Sequence, residues 1–144
     1  MFDTNPSAYI PHRESMLLLN EVLSLTDTTA SARVTIGPQS SFFMAKHGVP
    51  SWVGIEYMGQ TAALIGGLAL RENRVKPHVG MLLGTRKYWA KNAFFAENQM
   101  LTIKVEQAAS VGEELANFSC EISDAQSETC LATSRLSVFR RFTS

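Results

Sequence analysis

The pattern of apolar and polar residues changes partway along the chain. Residues 51–70 are apolar, small or uncharged at almost every position, whereas the residues after 78 alternate between polar and apolar side chains. A continuous apolar stretch of this length is typical of a buried helix, and alternation with a period of two is typical of strands with one buried face. The pattern therefore predicts one long buried helix followed by a series of strands.

Four strands are predicted after the helix, over residues 79–89, 99–109, 114–123 and 129–140. The alternation is clearest between Leu101 and Glu106, where apolar residues occupy every second position. Turns are expected at residues 111–112 and 124–127, where small and polar residues interrupt the pattern.

The segment before the helix contains one clear strand signal. Residues 29–36 alternate small or apolar residues with polar ones and stop at Gly37-Pro38, which predicts a strand that ends in a turn. Residues 16–25 form a short apolar run that fits either a strand or a short helix. Residues 40–50 are expected to form a loop that carries His47.

The helix has signals at both ends. Either Ser51 is its N-cap or Pro50 occupies its first position, and the helix is expected to end near Glu72 and Asn73. Its glycines and alanines lower helix propensity, but they allow a packed neighbour to approach the backbone closely.

These elements predict an α+β layout in which an antiparallel sheet packs on one long helix. The chain has 144 residues, and a single domain over 1–144 is the simplest organisation for that length. One sheet covering one helix leaves a sheet edge and a helix face unprotected. Self-association is therefore expected.

Residues 51–70 are long enough to raise the alternative of a membrane-spanning helix. Glu56 and Gln60 lie within this stretch, and four glycines dilute its apolarity. An acidic residue at the centre of a bilayer costs about 2.5–3.5 kcal/mol on insertion scales. A buried helix in a water-soluble protein is therefore the preferred interpretation.

The composition excludes several classes of protein. The chain has 13 basic and 13 acidic residues, so nothing indicates a nucleic-acid partner. Cys120 and Cys130 fit no zinc or redox spacing and are expected to be buried thiols, which suits a cytoplasmic protein. The N-terminus lacks the basic and apolar regions of a signal peptide. The sequence also contains no glycine-rich phosphate loop, nucleophile elbow or metal-ligand cluster.

The charges are distributed unevenly along the chain. Residues 71–91 carry six basic residues and a single acidic one, whereas residues 97–128 carry seven acidic residues and a single basic one. The basic segment fits either a docking surface for an acidic partner or an ordinary solvated surface.

Glu56 is the only charged residue between Lys46 and Arg71. A carboxylate in so apolar a segment is expected to be buried, and burial raises the pKa of a carboxyl group, as a general acid near neutral pH requires. Gln60 lies four residues later on the same helix face and is expected to steady Glu56. The alternative is that Glu56 forms a structural ion pair with an arginine. The candidate arginines are Arg13, Arg33 and Arg86.

His47 lies just before the helix, and its side chain is the usual type of general base. The helix N-terminus offers backbone N–H groups around Ser51, Trp52 and Gly54, which are suited to stabilising negative charge that develops on an oxygen. His12 is expected to lie at a structural corner of the chain. His78 is expected to lie at the start of a strand.

Three segments of the chain resemble the hotdog-fold 3-hydroxyacyl-acyl-carrier-protein dehydratases. Residues 10–22, which begin Ile-Pro-His-Arg, resemble the opening signature of that family, and residues 49–60 resemble its Met-Pro-Gly…Glu-x-Met-x-Gln helix. Leu83-Gly84, followed by Lys87 and Phe94, is similar to the next strand and turn.

The resemblance implies a hotdog fold, in which an antiparallel sheet wraps around a long central helix. It also implies that His47 and Glu56 are catalytic and come from different subunits of a dimer, beside an acyl tunnel. The loop after the histidine is roughly five residues shorter here. Ser51 replaces the family glycine, Asn20 an aspartate, and Ser15 a proline.

The shortened loop most resembles the dehydratase-like branch from aryl polyene gene clusters. Members of that branch are thought to act on polyene acyl chains and to pair with a second dehydratase-like subunit. The implied partners are therefore an acyl thioester on acyl carrier protein and a second subunit, as a homodimer or a heterodimer.

The resulting hypothesis is reversible dehydration of a 3-hydroxyacyl thioester to the trans-2-enoyl thioester. His47 would remove the C2 proton, Glu56 would protonate the departing hydroxyl and Gln60 would orient Glu56. Two titrating groups with separate roles suffice, so no metal or organic cofactor is expected. Two alternatives remain: a hotdog acyl thioesterase, and a non-catalytic acyl-binding partner of an active dehydratase.

Overall fold

The computed structural model describes residues 2–74, 78–108 and 114–142, which form one α-helix and eight strands. The helix α1 spans Gly54–Arg71, and short 3-10 turns occupy Pro6–Ala8, Glu14–Met16 and Ser51–Val53. The strands are β1 (Glu21–Leu25), β2 (Thr29–Thr35), β3 (Val49–Pro50), β4 (His78–Ala90), β5 (Phe94–Phe95), β6 (Met100–Gln107), β7 (Leu115–Asp124) and β8 (Cys130–Phe142).

Six of these strands form an antiparallel sheet in the order β1-β2-β6-β7-β8-β4, while β3 and β5 pair separately. This arrangement confirms the α+β layout and all four strands predicted after the helix. The ambiguous run at residues 16–25 contains the end of a 3-10 turn and then β1. The turn expected at residues 111–112 lies outside the described residues. Strands β3 and β5 were not predicted because two residues are too short to show alternation.

The sheet packs around α1 and buries one face of it. Strand β2 contributes small residues at Ala30 and Ala32, and β6 contributes Leu101, Ile103 and Val105, all of them buried. The helix contributes a set of large buried side chains: Tyr57, Met58, Leu64 and Ile65. Full burial of one such aliphatic side chain stabilises the fold by about 1.5–3 kcal/mol, so this contact sets the position of the helix.

The helix ends close to the predicted residue but begins a few residues later than predicted. Its last residue is Arg71, and the backbone N–H of Glu72 donates to the carbonyl of Leu68 at 3.0 Å. Ser51 is not an N-cap, because it is the first residue of a 3-10 turn whose N-cap is Pro50, and the N-cap of α1 itself is Val53. The backbone N–H of Ser51 donates instead to the carbonyl oxygen of Ala93 at 2.8 Å.

The N-terminal segment crosses the helix at Gly67. A side-chain carbon at this position would overlap the backbone carbonyl of Tyr9. The glycine therefore permits a close approach that no other residue would allow without a shift of the backbone. The ring of Tyr9 also lies under the guanidinium of Arg71, 5.5 Å from its centroid.

Gln60 connects the helix to the segment that leads into β1. Its side-chain oxygen accepts from the backbone N–H of Leu18 at 2.9 Å, and its amide nitrogen donates to the carbonyl of Met16 at 2.7 Å. Only 3% of Gln60 is exposed. A buried amide with both polar atoms bonded holds this segment in a fixed position.

The structure also bears on the possible membrane span and on the two cysteines. In the described part of the chain, no helix is long and apolar enough to cross a membrane. Cys120 is buried as expected, Cys130 is half-buried, and both are free thiols.

Replacement of Gln60 by alanine is expected to lower the free energy of unfolding by about 2–4 kcal/mol, because the backbone N–H of Leu18 and the carbonyl of Met16 lose the hydrogen bonds that Gln60 makes to them. Denaturant titration measures this quantity, and Gln126→Ala, at an exposed glutamine, serves as the control. Equal unfolding free energies for the two variants would show that the hydrogen bonds of Gln60 do not hold the segment.

Asp124 closes the turn after β7, and its contribution to stability is expected to depend on pH. Hydrogen bonds from the backbone N–H of Ser127, the side-chain amide of Gln99 and the backbone N–H of Gln126 lower the pKa of Asp124 from 3.8 to about 2. The folded state favours the ionised form, so the stabilisation is present above pH 4 and is lost as the pH falls towards 2.

Asp124→Asn should remove this pH-dependent part, so that the difference in unfolding free energy between wild type and variant shrinks between pH 4 and pH 2. Glu97→Gln, at an exposed acid without a described hydrogen bond, is the matched control and should show no such change. A difference that stays constant over this pH range would contradict the assignment.

Candidate active site

His47 lies in a tight loop that is closed on itself by backbone hydrogen bonds. The backbone N–H of Met44 donates to the carbonyl of Gly48 at 2.7 Å, and the N–H groups of His47 and Gly48 donate to the carbonyl of Met44 at 3.0 and 2.9 Å. Gly48 has a φ of +112°, and a side-chain carbon there would overlap the carbonyl of Phe95. The loop therefore lies directly against β5, which fixes the backbone of His47.

The imidazole of His47 is exposed and stacks on the ring of Phe94. The ring centroids are 5.0 Å apart, and the planes are inclined by 23°. Phe94 pairs with Pro50 in the β3–β5 ladder, immediately before the helical turn that starts at Ser51. Within the described residues the ring nitrogens of His47 make no hydrogen bond, so the imidazole is available to a substrate or a partner.

Glu56 is exposed, which corrects the expectation that its carboxylate is buried in the single chain. It lies on the face of α1 that the sheet does not cover, beside the half-buried residues Ile55, Gly59 and Ala63. The apolar sequence around Glu56 covers two faces of the helix, and only one of them is packed. An exposed carboxylate needs no internal partner, and this explains why so isolated a charge is tolerated.

The alternative ion pairs of Glu56 do not form in the part of the chain that the structure describes. The guanidinium of Arg13 donates instead to the backbone carbonyls of Ile10 and His12, both at 2.7 Å. Arg33 and Arg86 have no described ion pair with any acidic residue. Arg13 is therefore a structural residue of the corner that contains His12.

Gln60 does not orient Glu56. Its oxygen and its nitrogen are both bonded to the backbone of residues 16–18. The spacing of four residues does place Glu56 and Gln60 near one face of the helix, but one side chain turns to solvent and the other to the core. Gln60 therefore contributes to the site only by fixing the helix relative to residues 16–18.

The backbone N–H groups at the helix start are only partly free. The N–H of Ser51 is bonded to Ala93, and the N–H of Gly54 is bonded to the carbonyls of Ser51 and Trp52. In the described part of the chain, the N–H of Trp52 has no such partner. Of the three residues expected to stabilise an oxygen with negative charge, only Trp52 offers a free donor.

Tyr88, which the sequence did not single out, completes the helix start. Its hydroxyl donates to the carbonyl of Ser51, and a side-chain carbon at Gly54 would overlap its oxygen. Burial raises the pKa of Tyr88 to about 12, so the hydroxyl remains a donor at neutral pH. Burial and the nearby Tyr88 also raise the pKa of Tyr57. An aromatic residue in a strand is ordinarily a core residue, so no sequence signal distinguished Tyr88.

An aromatic pair borders the exposed face of the helix. The rings of Phe42 and Trp52 meet edge to face with centroids 5.3 Å apart, and they are 54% and 55% exposed. Trp52 lies one helical turn before Glu56. Large apolar side chains exposed together are typical of a surface that another molecule covers.

His47 and Glu56 thus both face solvent, and no hydrogen bond joins them within the described chain. In this part of the chain no group of three acidic, histidine or cysteine residues is close enough to hold a metal ion. An imidazole and a carboxylate are both side-chain types that can transfer protons.

Solved structures share this architecture. A chain of the dehydratase heterocomplex ApeI:P from Xenorhabdus doucetiae is similar to this chain with a TM-score of 0.85 and 27% sequence identity, over 97% of this chain and 92% of that one. This similarity confirms the hotdog fold that the sequence resemblance implied.

Two proteins named as thioesterases share the fold at lower identity. The hypothetical thioesterase of Streptococcus pneumoniae TIGR4, solved with coenzyme A, has a TM-score of 0.66 and 14% identity over 85% of this chain and 86% of its own. Thioesterase HI1161 of Haemophilus influenzae has a TM-score of 0.66 and 11% identity over 85% of this chain and 78% of its own. Identities this low show the common fold alone.

A search of curated proteins found no match. The family model described as ApeP-like, ApeP dehydratase, matches residues 4–143. This match covers nearly the whole chain, including the loop of His47, the helix of Glu56 and every strand of the sheet. The chain therefore belongs to the ApeP-like dehydratase family.

Proposed function

We propose that the protein takes part in the reversible dehydration of a 3-hydroxyacyl thioester, carried on acyl carrier protein, to the trans-2-enoyl thioester. The pathway would be a fatty-acid or polyene type of chain synthesis. Membership of a dehydratase family over residues 4–143 carries this proposal. The exposed imidazole of His47 and the exposed carboxyl group of Glu56 supply the two groups that such a reaction needs.

In the proposed reaction the imidazole of His47 takes the proton from C2 of the substrate. The C2–H electron pair forms the new double bond, and the C3–O bond breaks as the carboxyl group of Glu56 gives its proton to the departing hydroxyl, which leaves as water. The N–H of Trp52, which has no described partner, would hold the thioester oxygen, on which negative charge develops. Ser51 and Gly54 shape the backbone around this donor, since their own N–H groups are bonded.

The proposed active form is a dimer whose partner covers the open face of α1. Gly59, Ala63 and Gly66 lie along this face and are half-buried, so their small side chains allow a second helix to approach closely. A partner there would remove Glu56 from water and bring a second histidine loop towards it. The similar chain of X. doucetiae comes from a heterocomplex. We infer that the partner is a second dehydratase-like subunit or a second copy of this chain.

The carrier protein is proposed to dock on the later part of the basic segment. Arg71 and Arg74 are already paired with acidic residues of this chain, at 3.9 Å to Asp3 and 3.2 Å to Asp27. Arg86, Lys87 and Lys91 are exposed and have no ion pair among the described residues. Arg86 also lies directly opposite Arg135 on β8. Like charges in register repel each other, and an acidic partner would relieve this repulsion.

Two other functions remain as competing proposals. A hotdog acyl thioesterase would use Glu56 to activate water, and the shared fold with the two thioesterases is the observation in its favour. Many such thioesterases do not need a histidine at the position of His47. A non-catalytic subunit that binds acyl chains would need neither side chain for chemistry.

Incubation with 3-hydroxyacyl and acyl thioesters, on carrier protein and on coenzyme A, separates these functions. Formation of the enoyl thioester is followed by mass spectrometry and release of thiol by a colorimetric reagent. His47→Ala and Glu56→Gln are each expected to lower dehydration by roughly 10²–10⁴-fold, because each removes one proton-transfer group. Glu97→Gln is the control. Thiol release without dehydration would replace the proposal by the thioesterase.

The dimer is tested by placing a charge on the uncovered helix face. If the partner is a second copy, Ala63→Lys should leave the circular dichroism spectrum of the chain unchanged and shift its mass from dimer to monomer in analytical ultracentrifugation, because the lysine would be buried against that copy. Ser119→Lys, at an exposed position on the outer face of the sheet, should remain dimeric. A dimer that tolerates Ala63→Lys would place the interface elsewhere.

A further inference from the structure

The two-residue strand β5 contacts both elements of the candidate active site. The carbonyl of Ala93, just before β5, accepts from the N–H of Ser51 at the helix start. Phe94 stacks on His47, and the ring of Phe95 lies 6.0 Å from the ring of Tyr57, next to Glu56 on the helix. The backbone of β5 also lies against Gly48.

Phe94 and Phe95 have opposite surroundings, although they are adjacent in the same strand. Phe95 is 3% exposed and belongs to the core around the helix, whereas Phe94 points to the other side and is only half-buried. Successive side chains in a strand face opposite directions, so the core does not require an aromatic residue at 94. The described ring contact of Phe94 is the stack on His47.

We propose that Phe94 is a positioning residue that sets the orientation of the His47 imidazole for proton abstraction. This inference rests on the proposed function, because it assigns Phe94 a part in the same reaction. The backbone hydrogen bonds of the loop fix the α-carbon of His47 but leave its χ1 and χ2 angles free. An exposed side chain without a hydrogen bond samples several rotamers. A ring stacked at 5.0 Å selects one of them and leaves the outer face and both nitrogens of the imidazole open.

The segment that leads into β5 also fixes the helix start, where the free N–H of Trp52 lies. Phe94 therefore orients the imidazole of His47 relative to that N–H. A base and an oxygen-binding donor must keep a constant separation for one substrate to meet both. Phe94 does not touch the substrate in this arrangement, and it acts only through His47.

The test compares Phe94→Leu, which keeps an apolar side chain but removes the aromatic ring, with Phe94→Tyr, which keeps the ring. In NMR spectra of the intact protein, the ring current of Phe94 should shift the imidazole C–H signals of His47. This shift should disappear in Phe94→Leu and persist in Phe94→Tyr. Trp89→Leu, at an exposed aromatic residue without a described contact to the loop, should leave these signals unchanged.

In the dehydration assay, Phe94→Leu should lower kcat by roughly tenfold or more with little change in KM, because misplacement of a catalytic group slows the chemical step. Phe94→Tyr should keep a kcat close to that of the wild type. A wild-type kcat in Phe94→Leu would overturn the proposal, and so would His47 signals in Phe94→Leu that stay at their wild-type positions. If His47→Ala keeps full activity while the ring-current shift behaves as expected, the proposed reaction fails and the stack on His47 stands.

Discussion

The position of α1 against the inner face of the sheet determines almost everything else in the molecule. Small residues of β2, such as Ala30 and Ala32, allow the helix to lie close, while the large apolar residues of β6 fill the space beside it. This contact buries one face of the helix and leaves the other uncovered. The direction in which Glu56 points is a consequence of that division and not of any specific partner of its carboxylate.

The sequence was sufficient for the elements with strong periodicity. The long apolar run predicted the helix to within a few residues at both ends, and alternation predicted the four long strands of the second half. The short strands β3 and β5 carry no such signal, because two residues show no period. They are nevertheless the elements that bring His47 and the helix start together, so the sequence named candidate residues without showing which elements hold them in place.

Errors at the site came from interpreting spacing as contact. Glu56 and Gln60 share a helix face by spacing, but that face lies at the edge of the packed surface, so one residue is exposed and the other is buried. The amide of Gln60 is used by residues 16–18, which are more than 40 positions away in sequence. The N–H groups of Ser51 and Gly54 were likewise expected to be free, and contacts at the helix start occupy both. Tertiary partners of this kind leave no local pattern.

The order of strands in the sheet has a consequence for how the chain is made. β4 precedes β6, β7 and β8 along the chain, yet in the described sheet its hydrogen-bonding neighbour is β8, the last strand. During synthesis from the N-terminus, β4 therefore has no described partner strand until β8, some 40 residues later, has emerged. Unpaired strands invite aggregation, and charged residues suppress it. Arg86 and Lys87 in β4, with Lys91 directly after it, place such charges on the strand while it waits for β8, so these basic residues would help to keep the unpaired strand in solution whether or not they also bind a partner.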